Sequence, residues 1–223
     1  MDTSLWMSRD LLTASPTTPV LEAARSMAQR RVRHLLVVDP AAKHHLVGIV
    51  SSHDLYLAAD AGVNPFSPRA VDRQARTVAA IMTPRPLAIA PTTSIAEAAR
   101  ILRDKKYGAL PVVDRGELVG ILTEHDILRA FLRLSGADQQ GYEVTATVAP
   151  GRLDGIGPMH ALAHQHGLHV VSAAMFEQDE VHYAVVHCTG PANDAFVDDL
   201  WKCGLRILRV RATSPDGQVP AHA

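Results

Sequence analysis

Two nearly identical stretches, Leu46 to Asp54 (LVGIVSSHD) and Leu118 to Asp126 (LVGILTEHD), decide the fold of this 223-residue chain. Each predicts an apolar strand that contains one glycine and is followed by a hydroxyl residue and, three positions later, a carboxylate. Gly48 and Gly120 would let a neighbouring segment come close, because glycine has no Cβ. Since the unit occurs twice, both the fold and the function must be explained for two copies.

The duplication extends upstream of both stretches. With Met7 placed against Met82, an offset of 75 positions holds as far as Asp39 and Asp114, and 13 of these 33 positions are identical. Beyond them the first copy has PAAKHH where the second has RGE, and the register then resumes at the two stretches. Because surface turns tolerate a change of length, we expect the tip of a β-hairpin there.

Each copy predicts the element order β, α, β, β, α. The first helix of each copy has apolar residues at i, i+3, i+4 and i+7, which form one apolar face. In the first copy, Thr18 before Pro19 predicts a cap followed by proline at the first helical position. In the second copy, Ser94 and Glu97 predict a capping box.

The sheet of each copy is expected to be small. The β-branched runs Leu35 to Val38 and Leu110 to Val113 predict one strand in each copy, and the two defining stretches return as its partner. A short sheet with one-sided helices leaves apolar surface exposed. We therefore expect the two copies to pack together.

The last third of the chain contains no further copy. Ser135 to Gly141 (SGADQQG) reads as a hinge, after which the pattern predicts the order β, α, β, β, α, β, a ferredoxin-like split motif. Gly167 and Gly204 fit the ends of its two helices. We predict an α+β protein with a first domain over residues 1–67, a second over 68–136, a third over 137–212 and a disordered tail over 213–223.

Composition and charge exclude several classes of function. The formal net charge of -1 and the 4% aromatic content make a poor case for nucleic acid binding. A membrane-spanning helix needs a run of about 20 apolar residues, and the sequence contains no such run, so we expect no membrane association. Cys188 and Cys203 are too few for a disulfide framework, which favours the reducing cytoplasm. Because motifs for nucleophilic catalysis and the Walker and Rossmann glycine patterns are missing, we predict that the protein is not an enzyme.

The candidate site lies where each defining strand turns into a helix. In Ser51 to Asp54 and in Thr123 to Asp126, free backbone N–H groups and the positive helix end favour an anion. The hydroxyl can contact a phosphate or ribose, and the carboxylate can accept bonds from a ribose diol. The same spacing is also a helix capping box, and both interpretations stand. His53 and His125 are candidates to donate to phosphate or are exposed first-turn histidines.

The twelve histidines raise the alternative of a metal site. His160 and His164 lie four residues apart on a predicted helix, with His166 and His169 following. Position 161 is Ala, so the Glu of a zincin motif is missing, and no nearby acid or cysteine completes a ligand set. We predict no metal site and keep a metal-dependent hydrolase as a remote alternative.

Several motifs of the repeat occur in the same order as in a known family. Ile81 to Thr83 precede the second copy, Pro-Thr-Thr precedes each helix, and Leu110 to Asp114 (LPVVD) is followed by Gly120 to Asp126 (GILTEHD). This pattern, which covers about 130 residues, resembles a tandem pair of CBS domains, also called a Bateman domain. The resemblance implies binding of an adenine nucleotide or adenosyl compound of the AMP, ADP, ATP or S-adenosylmethionine class.

The resemblance also implies which residues contact that ligand. The hydroxyl and Asp positions would hold ribose and phosphate, and the adenine would lie near the residues before the β-branched strand. The implied set is Leu12, Thr13, Val32, Arg33, His34, Ser51, His53, Asp54, Leu87, Tyr107, Gly108, Ala109, Pro111, Thr123, His125 and Asp126. Since Gly108 and Ala109 leave space for a purine whereas Arg33 and His34 fill it, we expect two unequal clefts. The second copy is the closer match to the family.

The third domain resembles an ACT domain, a regulatory fold that often binds amino acids. Pro150 to Leu153 (PGRL) matches the usual start of its first loop, and Gly155, Ile156 and Gly157 lie where such domains hold an effector. Glycines there also merely permit a turn, which is the competing interpretation. The whole order is similar to the acetoin-utilisation accessory proteins of bacteria.

These features together predict a regulatory, ligand-sensing protein. It would require no cofactor, would bind an adenosine-containing small molecule in the paired domains, and would act on an unidentified protein target. The alternative is a dimerisation or partner-binding protein without a small-molecule ligand. Because two-fold assemblies are the commonest closed form, we predict a homodimer.

Overall fold

The first copy folds as a four-stranded sheet with two helices in the computed structural model, which describes residues 1–42, 44–59, 77–149, 156–190 and 194–213. Its elements are β1 (Thr13–Ala14), α1 (Val20–Arg30), β2 (His34–Val38), β3 (Leu46–Ser51) and α2 (Ser52–Ala59), and β4 (Thr83–Pro84) completes the sheet. β1 is parallel to β2, whereas β2, β3 and β4 are antiparallel. The predicted order is confirmed, although its first strand has only two residues.

The second copy repeats this arrangement with α3 (Ile95–Lys105), β5 (Ala109–Asp114), β6 (Glu117–Thr123) and α4 (Glu124–Ser135). Its predicted first strand is reduced to one parallel bridge between Ile89 and Val112. Arg115 and Gly116 both have positive φ, 51° and 87°, so the predicted hairpin tip is a two-residue turn. α4 has 12 residues, and no helix in the described part of the chain is long and apolar enough to cross a membrane.

The two helix starts differ in how they are capped. Pro19 itself occupies the cap position of α1, in an extended conformation, and the Thr18 hydroxyl accepts a bond from the Ser15 N–H at 3.1 Å. The prediction that Thr18 caps the helix and Pro19 begins it is therefore wrong by one residue. Ser94 caps α3 as predicted, because its Oγ accepts the Glu97 N–H at 3.1 Å.

The segments that lead into the two copies are exchanged between them. Residues 2–8 precede the first copy but bind the second, where Ser8 forms an antiparallel bridge with Ile121 of β6. Residues 77–84 precede the second copy, but their strand β4 pairs with β3 of the first. Each copy is thus completed by the leading segment of the other.

This exchange explains the two glycines of the defining stretches. A Cβ added to Gly48 would lie 2.5 Å from Sδ of Met82 and 3.3 Å from the carbonyl oxygen of Thr83. A Cβ on Gly120 would lie 2.5 Å from Sδ of Met7. The predicted close approach is confirmed, and the neighbour in each case is the leading segment of the other copy.

The two copies share a buried apolar cluster. Leu36 and Val38 of the first copy pack with Leu118 of the second, and all three are at most 9% exposed. Partly buried Leu11, Leu46, Ile49 and Ile121 surround them. The expected packing of the two copies is confirmed, and Met1–Ile127 form one compact unit.

The third domain lies in a second unit, Leu128–Ala223. Its elements are β7 (Gly141–Val148), α5 (Gly157–Gln165), β8 (His169–Gln178), β9 (Val181–Thr189), α6 (Asp194–Leu200) and β10 (Arg206–Thr213). The antiparallel sheet has the order β10-β7-β9-β8, and the predicted order β, α, β, β, α, β is confirmed. Thr213 pairs with Gly141 in β10, so the predicted tail starts one residue too early, and residues 214–223 lie outside the described part.

The third domain buries a histidine that makes its stability depend on pH. His187 of β9 is 2% exposed, and its Nε2 lies 3.3 Å from Oγ1 of Thr213. Burial lowers the pKa of His187 from the ordinary value of 6.5, against a smaller raising effect of Glu143. The neutral imidazole is therefore the form that the folded domain favours.

We expect the folded domain to lose stability as the pH falls below about 6.5, because the unfolded chain then binds the proton more readily than the folded one. Above that pH, the titration of His187 does not change the stability of the folded domain. Urea unfolding at about pH 7.5 and pH 5.5 would measure this, and His187→Gln should lose less stability between the two than the wild type. The exposed His160 provides the control His160→Gln, which should follow the wild type. A His187→Gln protein with the wild-type pH dependence would contradict the assignment.

Candidate functional site

The two strand-to-helix junctions form capping boxes. Oδ2 of Asp126 accepts bonds from the Thr123 N–H at 2.8 Å and the Thr123 hydroxyl at 2.7 Å, and the Thr123 hydroxyl accepts the Asp126 N–H at 3.3 Å. Asp54 and Ser51 make the same three bonds at 2.7, 2.7 and 3.2 Å. The structural interpretation of the motif is therefore realised in both copies. Each carboxylate is fixed at the start of its helix, where it can also face a ligand.

A cavity of about 410 Å³ lies at the second of these junctions. This size falls within the roughly 300–1,000 Å³ typical of small-molecule sites. The cavity combines the junction of the second copy with the segment before β2 of the first. The predicted residues that line it are Leu12, Val32, Arg33, His34, Thr123, His125 and Asp126.

A smaller cavity of about 230 Å³ lies at the first junction. It combines the junction of the first copy with the segment before β5 of the second. The predicted residues that line it are His34, Ser51, Asp54, Leu87, Tyr107, Gly108 and Ala109. Both cavities are therefore built from both copies, and the clefts are unequal in size.

Three predicted residues line neither cavity. Thr13 and His53 are exposed, on β1 and in the first turn of α2 respectively. Pro111 is buried in β5, where its carbonyl accepts the Ile89 N–H at 3.0 Å. Neither cavity wall therefore includes these three residues of the predicted set, which lie on the strands β1 and β5 and on the helix α2.

Other cavity residues were missing from the sequence prediction. The larger cavity also has Ser8, Asp10, Leu11, Arg31, Leu36 and Ile121, and the smaller one also has Ile49, Thr83, Pro86 and Lys106. The repeat contained a usable signal, since Ser8 and Thr83, like Arg31 and Lys106, are equivalent at the offset of 75.

Arg31 and Lys106 place one cation at the edge of each cavity. Both follow the last residue of a helix in the left-handed conformation, with φ of 52° and 56°. Arg31 and Lys106 occupy the C-terminal cap positions of α1 and α3 and line the cavity walls. Left-handed backbone is uncommon for residues other than glycine, and the pair occurs at the same position in both copies.

The prediction of two unequal clefts did not assign the ligand to either copy. In the structure, Gly108 and Ala109 line the smaller cavity, and Arg33 lines the larger one. The space above Gly108 is taken by the other copy, because a Cβ added there would lie 3.0 Å from Nε2 of His34. The sequence of the second copy alone does not show that a side chain of the first copy, His34, lies above Gly108.

The electrostatic setting of His34 favours its neutral form. Burial lowers the pKa of His34 from its ordinary value, and the charge of Arg33 lowers it further. The carboxylates of Asp54 and Glu124 act in the opposite direction but more weakly. An imidazole with this environment can remain packed between the copies at neutral pH.

The histidines that raised the metal alternative do not assemble into a site. Within the ranges that the structure describes, no group of three or more His, Cys, Asp or Glu side chains is arranged to hold a metal ion. His166 instead contacts Asp199, with 3.1 Å between Nε2 and Oδ2.

A model of the CBS domain family matches residues 3–60 and 78–133, together just over half of the chain. The chain belongs to the CBS domain family. The two matched ranges correspond to the two copies, which therefore form a CBS pair. The CBS domain-containing protein CBSX1, chloroplastic, of Arabidopsis thaliana is 37% identical over 147 residues, covering 56% of this chain. The match spans only 61% of that relative's length.

Two solved structures resemble the CBS pair. The crystal structure of CBSX2 in complex with AMP, a protein of Arabidopsis thaliana, is 33% identical with a TM-score of 0.51 and covers 59% of this chain and 96% of its own. The CBS domain pair of MJ0100 in complex with 5′-methylthioadenosine and S-adenosyl-L-methionine is 26% identical with a TM-score of 0.50. It covers 59% of this chain and 99% of its own.

Proposed function

We propose that this protein is a regulatory sensor that binds an adenine nucleotide or adenosyl compound in its CBS pair. The observation that carries the proposal is the cavity of about 410 Å³ at the Thr123–Asp126 junction. Relatives of the pair at 33% and 26% identity have been crystallised with AMP and with adenosyl compounds. The ligand acts as a regulatory signal and not as a cofactor.

The walls of the larger cavity suit the parts of an adenosine phosphate. The N-terminus of α4 presents backbone N–H groups and a positive helix end to an anion. Arg31 and His125 add donors for phosphate oxygens, and Asp126 is the acceptor for a ribose hydroxyl. Leu12 and Leu36 provide apolar surface for a purine.

Sensing requires no catalytic step in this protein. A ligand that contacts both copies favours the arrangement in which they are packed around it, and the gain is limited to its differential affinity for the two arrangements. Such a change can be transmitted to a partner protein. We place the protein in the cytoplasm, and its two free cysteines suit that reducing compartment.

Titration with AMP, ATP and S-adenosylmethionine tests the proposal. At a ligand concentration 100 times Kd, binding to the folded state adds about 2.7 kcal/mol of stability, which a thermal unfolding scan detects as a higher Tm. Calorimetry on the full chain then gives Kd and stoichiometry. An unchanged Tm with all three compounds would favour the alternative, a dimerisation protein without a small-molecule ligand.

We propose that the third domain is of the ACT type and that it holds a second effector site, for an amino acid. Its βαββαβ order and antiparallel sheet support the assignment. Of the proposed effector loop, Gly155 lies outside the described residues, whereas Ile156 caps α5 and Gly157 is its first residue. Thermal scans of the full chain with the 20 amino acids would test this site, and an unchanged Tm throughout would reject it.

We also assign a homodimer to this chain, formed through α4. Its side chains Leu128, Phe131 and Leu132 are 60%, 65% and 41% exposed, an unusual apolar surface for a helix in water. Covering such a row with a second copy would remove it from water. The two-fold form is the commonest closed assembly.

Replacing Phe131 with Asp is expected to convert this dimer to a monomer, because a charge would have to be buried without a partner. Light scattering coupled to size-exclusion chromatography measures the mass. Arg133→Glu changes the charge of the same exposed helix and is the control that should remain dimeric. A wild-type monomer at micromolar concentration would reject the assignment.

A further inference from the structure

His34 lies between the two cavities of the CBS pair. It lines both of them, and its imidazole occupies the space above Gly108, where an added Cβ would be 3.0 Å from Nε2 and 3.1 Å from Cε1. His34 belongs to the first copy and Gly108 to the second. The side chain of His34 therefore forms part of the wall of the smaller cavity, next to Gly108 of the other copy.

The repeat shows what this position looks like without the imidazole. At the offset of 75, the equivalent of His34 is Ala109, whose side chain ends at Cβ. The two cavities are otherwise built from equivalent elements, a junction of one copy and a pre-strand segment of the other. The cavity into which His34 projects over Gly108 has about 230 Å³, below the typical range for small-molecule sites, whereas the other has about 410 Å³.

The neighbours of His34 hold it in this place. Its own strand β2 pairs with β3, where His34 lies opposite Ser51. Asp54 on α2 and Glu124 on α4 are the acids that face the ring, and Arg33 is the nearest cation. Burial lowers the pKa of His34, which favours the neutral imidazole, and the ring lies directly above Gly108.

We infer that His34 restricts the CBS pair to one adenine nucleotide per chain, bound in the larger cavity, by closing the smaller cavity over Gly108. This inference rests on the proposed function. His34 is thus a specificity-determining residue for the number of ligands bound. The smaller cavity keeps its capping box and Lys106, but the ring of His34 takes the space above Gly108 that a purine would use.

The test is calorimetric titration of the full chain with AMP. The wild type is expected to bind one AMP per chain and His34→Ala two, because the variant gives the first copy the side chain that Ala109 gives the second. His34→Leu keeps a side chain of similar size at this position and should bind one. His160→Ala, which removes an exposed histidine of the third domain, should also bind one.

A second variant locates the added ligand. In the double variant His34→Ala with Asp54→Asn, the carboxylate of the smaller cavity is neutralised, and the stoichiometry should return to one. Two AMP per wild-type chain would overturn the inference and leave the proposed function intact. One AMP, or none, in a folded His34→Ala protein would also overturn it. A wild type that binds no AMP would overturn the inference together with AMP as the proposed ligand.

Discussion

Replacing Asp126 with Ala is expected to weaken AMP binding roughly tenfold to a hundredfold, because a carboxylate that accepts a ligand hydroxyl is worth about 1.5–3 kcal/mol. Asp126 is 5% exposed, and its Oδ2 is fixed by two bonds from Thr123 at the wall of the larger cavity. A group held this firmly loses little entropy when it binds the ligand. Calorimetry of the purified variant measures the change in Kd.

The same substitution also removes a helix cap. Loss of the capping box of α4 is expected to cost about 0.5–2 kcal/mol of folding free energy. Ser94→Ala provides a matched control, because Ser94 caps α3 through the Glu97 N–H and lines neither cavity. It should lose similar stability and keep the wild-type Kd. An Asp126→Ala protein that also keeps the wild-type Kd would show that the carboxylate only caps the helix.

The fold of each copy could be predicted because the relevant information is local. The apolar periodicity predicted the helices, and the β-branched runs predicted the strands. Because the unit is duplicated, each predicted element could be compared with the equivalent element of the other copy. The exchange of residues 2–8 and 77–84 could not be predicted in this way. Both segments are short and similar, so Met7 fits Gly48 or Gly120 equally well by pattern, and only the three-dimensional path of the chain decides between them.

The candidate site, like the fold, could be predicted only in part from the sequence. The junction residues Ser51, Asp54, Thr123 and Asp126 were identifiable from a spacing that has a chemical meaning. The resemblance also named the residues across each cavity, such as Val32 and Tyr107, but it did not say which junction each of them faces. A comparison of the repeats matches a position with its equivalent and not with its neighbour in space. The expectation that Gly108 faces open space failed for this reason, since the ring of His34 comes from the other copy.

Replacing Leu36 with Ala is expected to cost about 2–5 kcal/mol of folding free energy, as large-to-small substitutions in a packed core do. Leu36 is 1% exposed and belongs to the cluster shared by the two copies. A loss of this size is a large part of the roughly 5–15 kcal/mol that stabilises a typical domain. Urea unfolding gives the difference in free energy.

Leu35 supplies the matched control for this variant. It is also 1% exposed, but it points to the opposite face of β2 and packs in a separate cluster, which the first copy forms with Val78 of the 77–84 segment. Leu35→Ala should destabilise the protein by a similar amount and leave the Kd for AMP unchanged once the chain is folded. Leu36→Ala should change both quantities, because Leu36 also lines the larger cavity. If Leu36→Ala cost less than about 1 kcal/mol, well below the range for a packed core, the shared cluster would not hold the two copies together. A ligand between the copies would then have no preformed cavity to bind.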